Sequence, residues 1–472
     1  MSNSISLFSK LRTFSSEFWF FNLIQMIERL AYASVVLQMA VYISQKDLVG
    51  GLHFDQSAKG WIFFFWAIIQ NFTPVFFGGL SDKYGKKRIM RMSIIISVLG
   101  FFGIAYFRDV YLFAMSTIIL GVGLGLFKPT IQGLISNSMT QDQKSIGWSI
   151  NVMLINVAVF LAPPFAKYLE EISWFWVFAG SGILISINLI LIYLYRKKIK
   201  DRIEVKNDYS IIKLSLSQLF QPKIIYFLLI MSGFTIIYMQ FYESLPNFLY
   251  DWTDTSALAK SLNLPDFMLS DSPRGKMIDF KWLFNINSGL IVVFVVIVAY
   301  LLSRFTIFSA LIIGLFLVTL GITLSGISHY GSFAVFGMIV YTFGEMISNP
   351  KIIEFMSKQG DEKHRSMYLG MINISFGIGL AGGSLLGANL YKNIGEKSHL
   401  AIRYIKDNYP NVNENITQFN SMDFLIKKLQ LSNSEVSEML FKHYHPQFFW
   451  LPFALIGIVS IILLIIYQKK YK

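Results

Sequence analysis

The sequence predicts an all-α polytopic membrane protein with twelve transmembrane helices arranged as two six-helix halves. Of its 472 residues, 54% are hydrophobic and only 15% are charged, and the mean hydropathy is +0.52. Soluble domains carry about 25% charged residues, so this composition excludes a soluble class of protein. Apolar stretches of about 20 residues, the length that crosses a bilayer as a helix, recur along almost the whole chain.

The stretches that we interpret as spans share this length and a low content of charge. They lie near 17–44, 59–80, 87–107, 110–136, 146–168, 174–196, 222–250, 283–303, 306–327, 332–358, 366–391 and 447–468. They leave no room for a large soluble domain.

A charged segment divides these spans into two sets of six. We predict a cytoplasmic N-terminus (1–16), an N-terminal six-helix half (17–196), a cytoplasmic linker (197–221) and a C-terminal six-helix half (222–472), with long external loops at 251–281 and 392–446. Secondary transporters commonly have a six-plus-six plan, in which two halves rock around a central site. The alternative is twelve helices without internal symmetry. Loops of this length generally have a function or lack order.

The net charge of +13 is distributed unevenly between the loops. Basic residues concentrate in alternate loops, at 81–91, 195–202 and 467–472. This positive-inside pattern predicts that both termini are cytoplasmic, and it argues against nucleic acid as a partner. The first apolar segment lacks a small-residue cleavage site, so we expect a span and no signal peptide. High Ile, Lys and Asn contents favour a bacterium, and we expect a multi-pass protein in the lipid bilayer of the cytoplasmic (inner) membrane.

Cysteine is absent, which excludes disulfides and Cys-ligated metal sites. The six histidines are scattered, and only His443 and His445 lie close together, so no metal-ligand spacing is present. The sequence also lacks a nucleophile elbow and a phosphate-binding loop. We therefore expect neither an enzyme nor a site for a metal or cofactor.

The first predicted span carries polar residues along one helix face. Gln25, Glu28, Arg29 and Tyr32 follow one another at i, i+3, i+4 and i+7. A charge at mid-membrane costs about 2.5–3.5 kcal/mol on insertion scales. Such a face is tolerated where it lines a watery substrate or ion pathway, which is the default interpretation. The alternative is a buried ion pair between Glu28 and Arg29, or with a neighbouring helix, that only orients helices.

A lysine stands in the otherwise apolar fourth span. Lys128 directly precedes Pro129, which frees a backbone carbonyl and bends a helix. Three alternate glycines that begin at Gly121 permit close helix contact. A lysine in this setting is costly unless a carboxylate answers it, and we expect Glu28 to be that partner. Burial and the carboxylate shift the pKa of the lysine in opposite directions, and such a balance suits a proton-coupled step.

A second carboxylate stands in the tenth span. Glu345 comes five residues before Pro350, and an acidic residue near an interrupted helix is typical of a midplane binding site. Asn156, Asn287 and Asn373 lie in three other spans. One asparagine alone would more often form an interhelical hydrogen bond. Together with the ionisable groups they favour a polar cavity.

The segment GGLSDKYGKKR at 78–88 resembles the signature between spans 2 and 3 of the major facilitator superfamily. Gly78 would let span 2 approach its neighbour, and Asp82 would end the helix with a charge for a partner helix. Gly85 and Arg88 complete this conformational motif, whose basic residues hold the loop on the cytoplasmic side. An ordinary basic turn is the alternative. The resemblance implies the major facilitator fold.

Within that superfamily, residues 17–391 resemble the proton-dependent oligopeptide transporter (peptide transporter) family. QMIERLAY is similar to its E-x-x-E-R-x-x-Y motif, GLGLFKPTI to its span 4 motif, MLINVAVFLAP to its span 5 motif, and GEMISNP to its span 10 spacing. The positions that match are Glu28, Arg29, Tyr32, Lys128, Asn156, Asn287 and Glu345.

This resemblance implies uptake of di- or tripeptides by alternating access, driven by the proton gradient and without a cofactor. Substrate would be bound at Arg29, Tyr32, Lys128, Asn156 and Asn287 on the carboxylate side, and at Glu345 by its amino terminus. Proton coupling would involve Glu28, Lys128 and Glu345.

The chain departs from the family at two of the expected acids. Gln25 replaces the first acid of the span 1 motif, and we retain it as a candidate for substrate binding. Met239 and Gln240 occupy the region of the span 7 carboxylate, and Glu243, one turn after Met239, is a candidate replacement in proton coupling.

Two other functions stay open at this point. An exporter or antiporter of drug-like or metabolic solutes is one, although NVAVFLAPP at 156–164 has the prolines but not the glycines of the antiporter motif. A non-transporting sensor on a transporter scaffold is the other, since the long loops could bind a partner. We favour the symporter, with a small peptide-like molecule as its substrate, and expect a monomer.

Overall fold

The computed structural model describes residues 13–77, 84–140, 143–195, 218–272, 275–302, 305–359, 365–410 and 416–471. These residues form two compact units that consist mainly of helices. Unit 1 comprises 13–35 and 69–195, and unit 2 comprises 36–68 and 218–471. The predicted linker at 197–221 lies largely outside the described residues.

Unit 1 is built from long apolar helices. They are α1 (Ser16–Ser44), α2 (Gln56–Phe77), α3 (Lys86–Tyr106), α4 (Val110–Asn137), α5 (Lys144–Ile172) and α6 (Trp174–Leu194), of which the last part of α1 and the first part of α2 belong to unit 2. Helix α3 packs against α4 and α6, and α5 packs against α6. Asp109 caps α4, since its carboxylate accepts hydrogen bonds from the N–H groups of Tyr111 and Leu112 at 3.0 and 3.1 Å.

Glycines bring α4 close to two neighbouring helices, as the sequence predicts. A Cβ atom on Gly123 would lie 2.3 Å from Ser97 Oγ of α3, and one on Gly125 would lie 2.7 Å from Thr73 Cβ of α2. Only glycine allows backbones this near to each other. Helix α4 continues through Pro129 to Asn137.

The loop before α3 is described in part. Gly85 precedes α3 with a φ of 91°, a conformation that favours glycine. Lys87 Nζ donates a hydrogen bond to the carbonyl of Tyr195 at the end of α6, whereas Arg88 is exposed. Gly78 and Asp82 of the predicted motif lie outside the described residues.

Unit 2 combines long helices with short elements in the loops. Its elements are α7 (Pro222–Glu243), α8 (Leu245–Trp252), α9 (Ser256–Ser261), β1 (Leu269–Ser272), β2 (Gly275–Ile278), α10 (Phe280–Leu302), α11 (Ile307–Gly326), α12 (Gly331–Ser357), α13 (Arg365–Leu390), α14 (Lys397–Asn408), α15 (Ser421–Leu429), α16 (Asn433–Tyr444) and α17 (Leu451–Tyr471). Helix α11 packs against α12 and α17, and α7 packs against α13 and α17. Strands β1 and β2 form an antiparallel hairpin in which Leu269 pairs with Ile278.

The tenth predicted span is not interrupted at its proline. Helix α12 runs from Gly331 to Ser357 with Pro350 inside it, so the predicted break is wrong. Proline removes one backbone donor, and a membrane helix tolerates that loss where neighbouring groups satisfy the freed carbonyl.

Residues 36–68, which the sequence assigns to the N-terminal half, pack with the later part of the chain in unit 2. A Cβ on Gly60 would lie 2.5 Å from Ala388 Cβ of α13. In the amide orientation that satisfies both of its polar ends, Asn247 accepts hydrogen bonds from Ser44 Oγ at 2.9 Å and Lys59 Nζ at 2.7 Å. Close packing and buried polar contacts therefore hold the end of α1 and the start of α2 in this unit.

The loop at 392–446 contains three helices (α14, α15 and α16) that pack onto unit 2. Trp252 of α8 is 2% exposed, and its indole N–H donates to the carbonyl of Gly395 at 2.6 Å. Its ring lies 5.6 Å from that of Phe441 on α16. The rings of His53 and Phe419 are 5.5 Å apart. The loop is thus part of the compact structure of unit 2.

Ten helices in the described part of the chain are long and apolar enough to cross a membrane. This bears out a multi-pass, all-α membrane protein. The number of twelve crossings stays a prediction.

Candidate functional site

The charged pair of α1 forms a direct ion pair. Arg29 donates from Nε to Glu28 Oε2 and from Nη2 to Glu28 Oε1, both at 2.6 Å. Glu28 is fully buried, whereas the Arg29 side chain is 21% exposed. Two parallel charge-assisted hydrogen bonds of this kind are strong and fix the guanidinium in one plane. The paired carboxylate explains how α1 accepts a charge in its middle.

Tyr32 adjoins this pair on the same helix face. The Arg29 guanidinium carbon lies 4.8 Å from the centre of the Tyr32 ring, within the range of a cation–π contact. Gln70 of α2 donates from Nε2 to the Tyr32 hydroxyl at 3.2 Å. Gln70 is not among the site residues predicted from the sequence, although a glutamine in an apolar stretch is a visible signal.

Lys128 does not form the ion pair that the sequence predicts with Glu28. Its side chain is exposed, and among the described residues it has no partner in a hydrogen bond or ion pair. It lies within electrostatic range of Glu28, which attracts it, and of Arg29, which repels it. The reason is that Arg29 already occupies both oxygens of Glu28, because a guanidinium matches a carboxylate in two hydrogen bonds and an ammonium cannot.

Gln25 lies in a buried amide network between α1 and α5. Asn151 donates from Nδ2 to Gln25 Oε1 at 2.7 Å and to Asn22 Oδ1 at 2.8 Å. All three side chains are less than 5% exposed. The predicted substrate ligand Gln25 is therefore engaged in a contact between helices. Asn22 and Asn151 were missed, although Asn22 stands three residues before Gln25 on the same face.

Asn156 is half-buried on α5. Its Nδ2 donates to the carbonyl of Val152, one turn earlier in the same helix, at 2.9 Å. The described structure shows no hydrogen bond between Asn156 and another predicted site residue.

In unit 2 the structure brings together Glu345 and Asn287, as predicted. Asn287 of α10 donates from Nδ2 to Glu345 Oε2 at 2.8 Å and to Thr342 Oγ1 at 3.1 Å. The hydroxyl of Tyr238 on α7 donates to Glu345 Oε1 at 2.7 Å. Each oxygen of this buried carboxylate thus has a neutral donor. Tyr238 was missed because contacts between α7 and α12 leave no periodic trace in the sequence.

Aromatic rings surround this carboxylate group. The rings of Phe241 and Tyr341 are stacked with centroids 4.3 Å apart, and the Tyr341 hydroxyl donates to the carbonyl of Tyr238 at 2.8 Å. The Tyr341 ring also stacks on the Tyr238 ring with centroids 5.9 Å apart, so Tyr341 contacts both the side chain and the backbone of Tyr238. Asn373, in contrast, donates to the carbonyl of Gly370 in its own helix at 3.2 Å.

Glu243 belongs to a different polar group of unit 2. It ends α7, is 4% exposed and accepts a hydrogen bond from Ser384 Oγ at 2.7 Å. Lys59 Nζ lies 3.5 Å from the Glu243 carbonyl oxygen and attracts the carboxylate electrostatically. Lys59 is 3% exposed and was missed, since a lysine near the start of a span resembles an ordinary interfacial residue.

Each unit therefore offers a different chemistry. Arg29 and Lys128 in unit 1 can hold an anionic group, while Glu345 in unit 2 can hold a cationic group or a proton. Among the described residues, no group of three His, Cys, Asp or Glu side chains could hold a metal ion.

Comparison with known proteins places these features in a family. A model of the Major Facilitator Superfamily matches residues 21–393. The uncharacterized transporter YclF of Bacillus subtilis is 25% identical over 189 residues, which cover 39% of this chain and 37% of that protein. The quinolone resistance protein NorA of Staphylococcus aureus is 27% identical over 150 residues, which cover 32% of this chain and 37% of that protein. The chain thus matches little more than a third of the length of these curated relatives.

Solved structures resemble the chain over nearly its whole length. The nucleoside transporter NupG has a TM-score of 0.65 at 15% identity and covers 97% of this chain and 100% of its own. A POT family transporter in complex with 5-aminolevulinic acid has a TM-score of 0.64 at 13% identity and covers 91% and 96%. At these identities the likeness shows the fold alone. Because the family model matches most of the chain, the chain belongs to the Major Facilitator Superfamily, a family of multi-pass membrane transporters rather than enzymes.

Proposed function

We propose that the chain is a proton-coupled symporter that takes up di- or tripeptides, or solutes with the same charge pattern, by alternating access. The observation that carries this proposal is Lys128, an ammonium group inside a membrane helix with no hydrogen-bond partner among the described residues. A charge kept at such a cost usually serves a substrate or ion pathway. The likeness to POT family structures supports the same function.

The anionic end of the substrate would bind to Lys128 and Arg29. Glu28 already neutralises Arg29 through two hydrogen bonds of 2.6 Å, so a substrate carboxylate gains most from Lys128. Two unit charges 4 Å apart interact by about 4 kcal/mol at an effective dielectric constant of 20. Tyr32 and Asn156 would add polar contacts, and Gln25 would act indirectly through the position of α1.

The amino end of the substrate would bind to Glu345. Tyr238 and Asn287 supply neutral hydrogen bonds to this carboxylate but no positive charge. A substrate ammonium group or a proton would supply that charge. We propose that the two alternate at Glu345 during the transport cycle.

Protons would also act at the two other carboxylates of the candidate set. A proton on Glu28 would remove the charge that holds Arg29 and free the guanidinium for substrate. A proton on Glu243 would weaken its attraction to Lys59. We further propose that the chain works as a monomer in a bacterial cytoplasmic membrane with both termini inside, as the alternation of basic loops favours.

The test is uptake of a labelled dipeptide into proteoliposomes, with and without an imposed inward proton gradient. We expect accumulation only with the gradient, and competition by other di- and tripeptides. Lys128→Gln should abolish this uptake, whereas Lys260→Gln, which changes an exposed lysine on α9, should leave it intact. A Lys128→Gln protein that inserts, folds and transports normally would return Lys128 to a structural role.

A second candidate function is export of drug-like solutes in exchange for protons. It is favoured by the 27% identity to the quinolone resistance protein NorA over 150 residues. The measurement is loss of a fluorescent drug from loaded vesicles when protons are supplied on the opposite side. Export of the drug without peptide uptake would replace the symporter proposal.

A further inference from the structure

Unit 2 contains a buried carboxylate that the transport proposal does not use. Glu396 is the residue before α14, and it is 3% exposed. Neither of its two carboxylate oxygens has a hydrogen-bond partner in the described structure. The side chain also does not cap α14, although the first N–H groups of that helix are unpaired within the helix. Burying an ionised carboxylate costs free energy, and no hydrogen bond among the described residues offsets that cost at Glu396.

The cations near Glu396 are committed to other partners. Lys46 donates to the carbonyls of His53 and Phe54 at 2.7 and 3.0 Å. Lys59 donates to the side chain of Asn247 at 2.7 Å. Both lysines act on Glu396 only through space.

Acidic groups oppose a charge on Glu396. Asp251 of α8 and Asp55 both repel it. Asp251 is itself held by the Tyr391 hydroxyl, which donates to its Oδ2 at 2.5 Å. The titratable and charged groups that face Glu396 from the surrounding elements are Lys46, Asp55, Lys59, Asp251 and Tyr391, with Lys397 next along the chain.

We propose that Glu396 is a proton-binding site, and that its bound proton keeps the segment 392–446 packed on the rest of unit 2. The neutral acid removes the repulsion from Asp251 and the cost of burying a charge. The carbonyl of Gly395, the preceding residue, accepts the indole hydrogen bond of Trp252, so a charge at Glu396 acts directly beside a main packing contact of the segment. Burial also raises the pKa of Asp251 to about 6, so the acid that repels Glu396 binds a proton more readily than an exposed aspartic acid does.

The direction of the pH effect follows from the folded and unfolded states. In the unfolded chain a glutamate has a pKa of about 4.3. Below that pH both the folded and the unfolded state hold the proton, so burial of Glu396 as a neutral acid adds no pH dependence to the free energy of unfolding. Above that pH, ionisation of the glutamate lowers the free energy of the unfolded state, whereas the folded state keeps the proton. The free energy of unfolding therefore falls as the pH rises. Glutamine cannot ionise, so Glu396→Gln removes this loss.

The experiment compares the apparent Tm of the wild-type protein and Glu396→Gln in lipid nanodiscs between pH 5 and pH 8. We expect a difference in Tm that is small at pH 5 and grows with pH, with the variant about 2 °C or more above wild type at pH 8. The matched control is Glu438→Gln, which changes a solvent-accessible glutamate on α16 that pairs with Lys442. Its difference from wild type should show no rise with pH.

Other outcomes would overturn the proposal. If the difference in Tm between Glu396→Gln and wild type is the same at every pH, Glu396 is ionised in the folded protein. Stabilisation of wild type but not the variant by sodium over choline, at pH 8, assigns the site to a metal cation. If the variant does not insert, hydrogen exchange of α14 in wild type decides. After correction for the intrinsic pH dependence of amide exchange, we expect the protection of α14 to be several-fold lower at pH 8 than at pH 5.5, and equal protection refutes the proposal.

These measurements need no transported substrate. Failure of the Glu396 proposal is therefore separable from failure of the symporter proposal.

Discussion

Replacing Glu28 by glutamine tests whether this residue couples transport to protons, as we propose. The change keeps the size of the side chain but removes the charge that holds Arg29 in two hydrogen bonds of 2.6 Å. An inward gradient of one pH unit contributes about 1.4 kcal/mol per proton, which permits about tenfold accumulation of substrate for each proton carried. If Glu28 carries the coupled proton, Glu28→Gln should equilibrate the dipeptide without concentrating it.

The same substitution has a structural cost that must be measured alongside transport. Removing one partner of a buried ion pair destabilises a protein by about 3–5 kcal/mol. The Arg29 side chain is 21% exposed and water reaches part of it, so we expect the lower end of this range or less. A lowered Tm with an intact folded fraction fits this account.

The assay compares two transport modes in the same proteoliposomes. Accumulation driven by an inward proton gradient should be lost in Glu28→Gln, while exchange of internal for external dipeptide should persist in part. Glu438→Gln serves as the control for loss of a glutamate elsewhere in the chain. Normal gradient-driven accumulation by Glu28→Gln refutes the coupling role.

Four further substitutions test the hydrogen bonds and the packing. Tyr238→Phe removes one of the two donors to the buried Glu345 and should cost about 1–3 kcal/mol of stability, read as a lower Tm; an unchanged Tm contradicts this. Asn151→Ala leaves its buried amide partners without their donor and should cost about 1–3 kcal/mol of stability, read as a lower Tm. Gly123→Val should prevent accumulation of folded protein, whereas Gly370→Ala, where a Cβ meets nothing within 4 Å, should be tolerated.

Features set by one helix could be predicted from the sequence. The apolar lengths predicted most of the long helices, and the spacing of Glu28, Arg29 and Tyr32 placed them on one face of α1. The alternate glycines of α4 predicted close helix contact, and the structure shows this contact with α2 and α3. These features depend on helical periodicity and residue size, which are local properties.

Features set by contacts between helices could not be predicted from this sequence alone. Glu28 had two available cations, Arg29 and Lys128. Only the structure shows that Arg29 takes both oxygens, and that Lys128 has no hydrogen-bond partner among the described residues. The hydroxyl of Tyr238 on α7 meets Glu345 on α12, more than a hundred residues away. The buried state of Glu396 depends on how a long loop folds back, and no periodic pattern marks it.

The amide network at Gln25 bears on how the chain can couple protons at all. A titrating acid at this position would change its hydrogen bonding with each cycle, but Gln25 accepts from Asn151 at 2.7 Å and cannot ionise. Asn151 also donates to Asn22, so the two amide oxygens share one donor group, and the contact between α1 and α5 stays neutral. Such a contact holds α1 at the same position whether or not Glu28 carries a proton. In the proposed mechanism, coupling through α1 would then fall to the Glu28–Arg29 pair, where a substrate anion would replace the Glu28 carboxylate as the partner of Arg29.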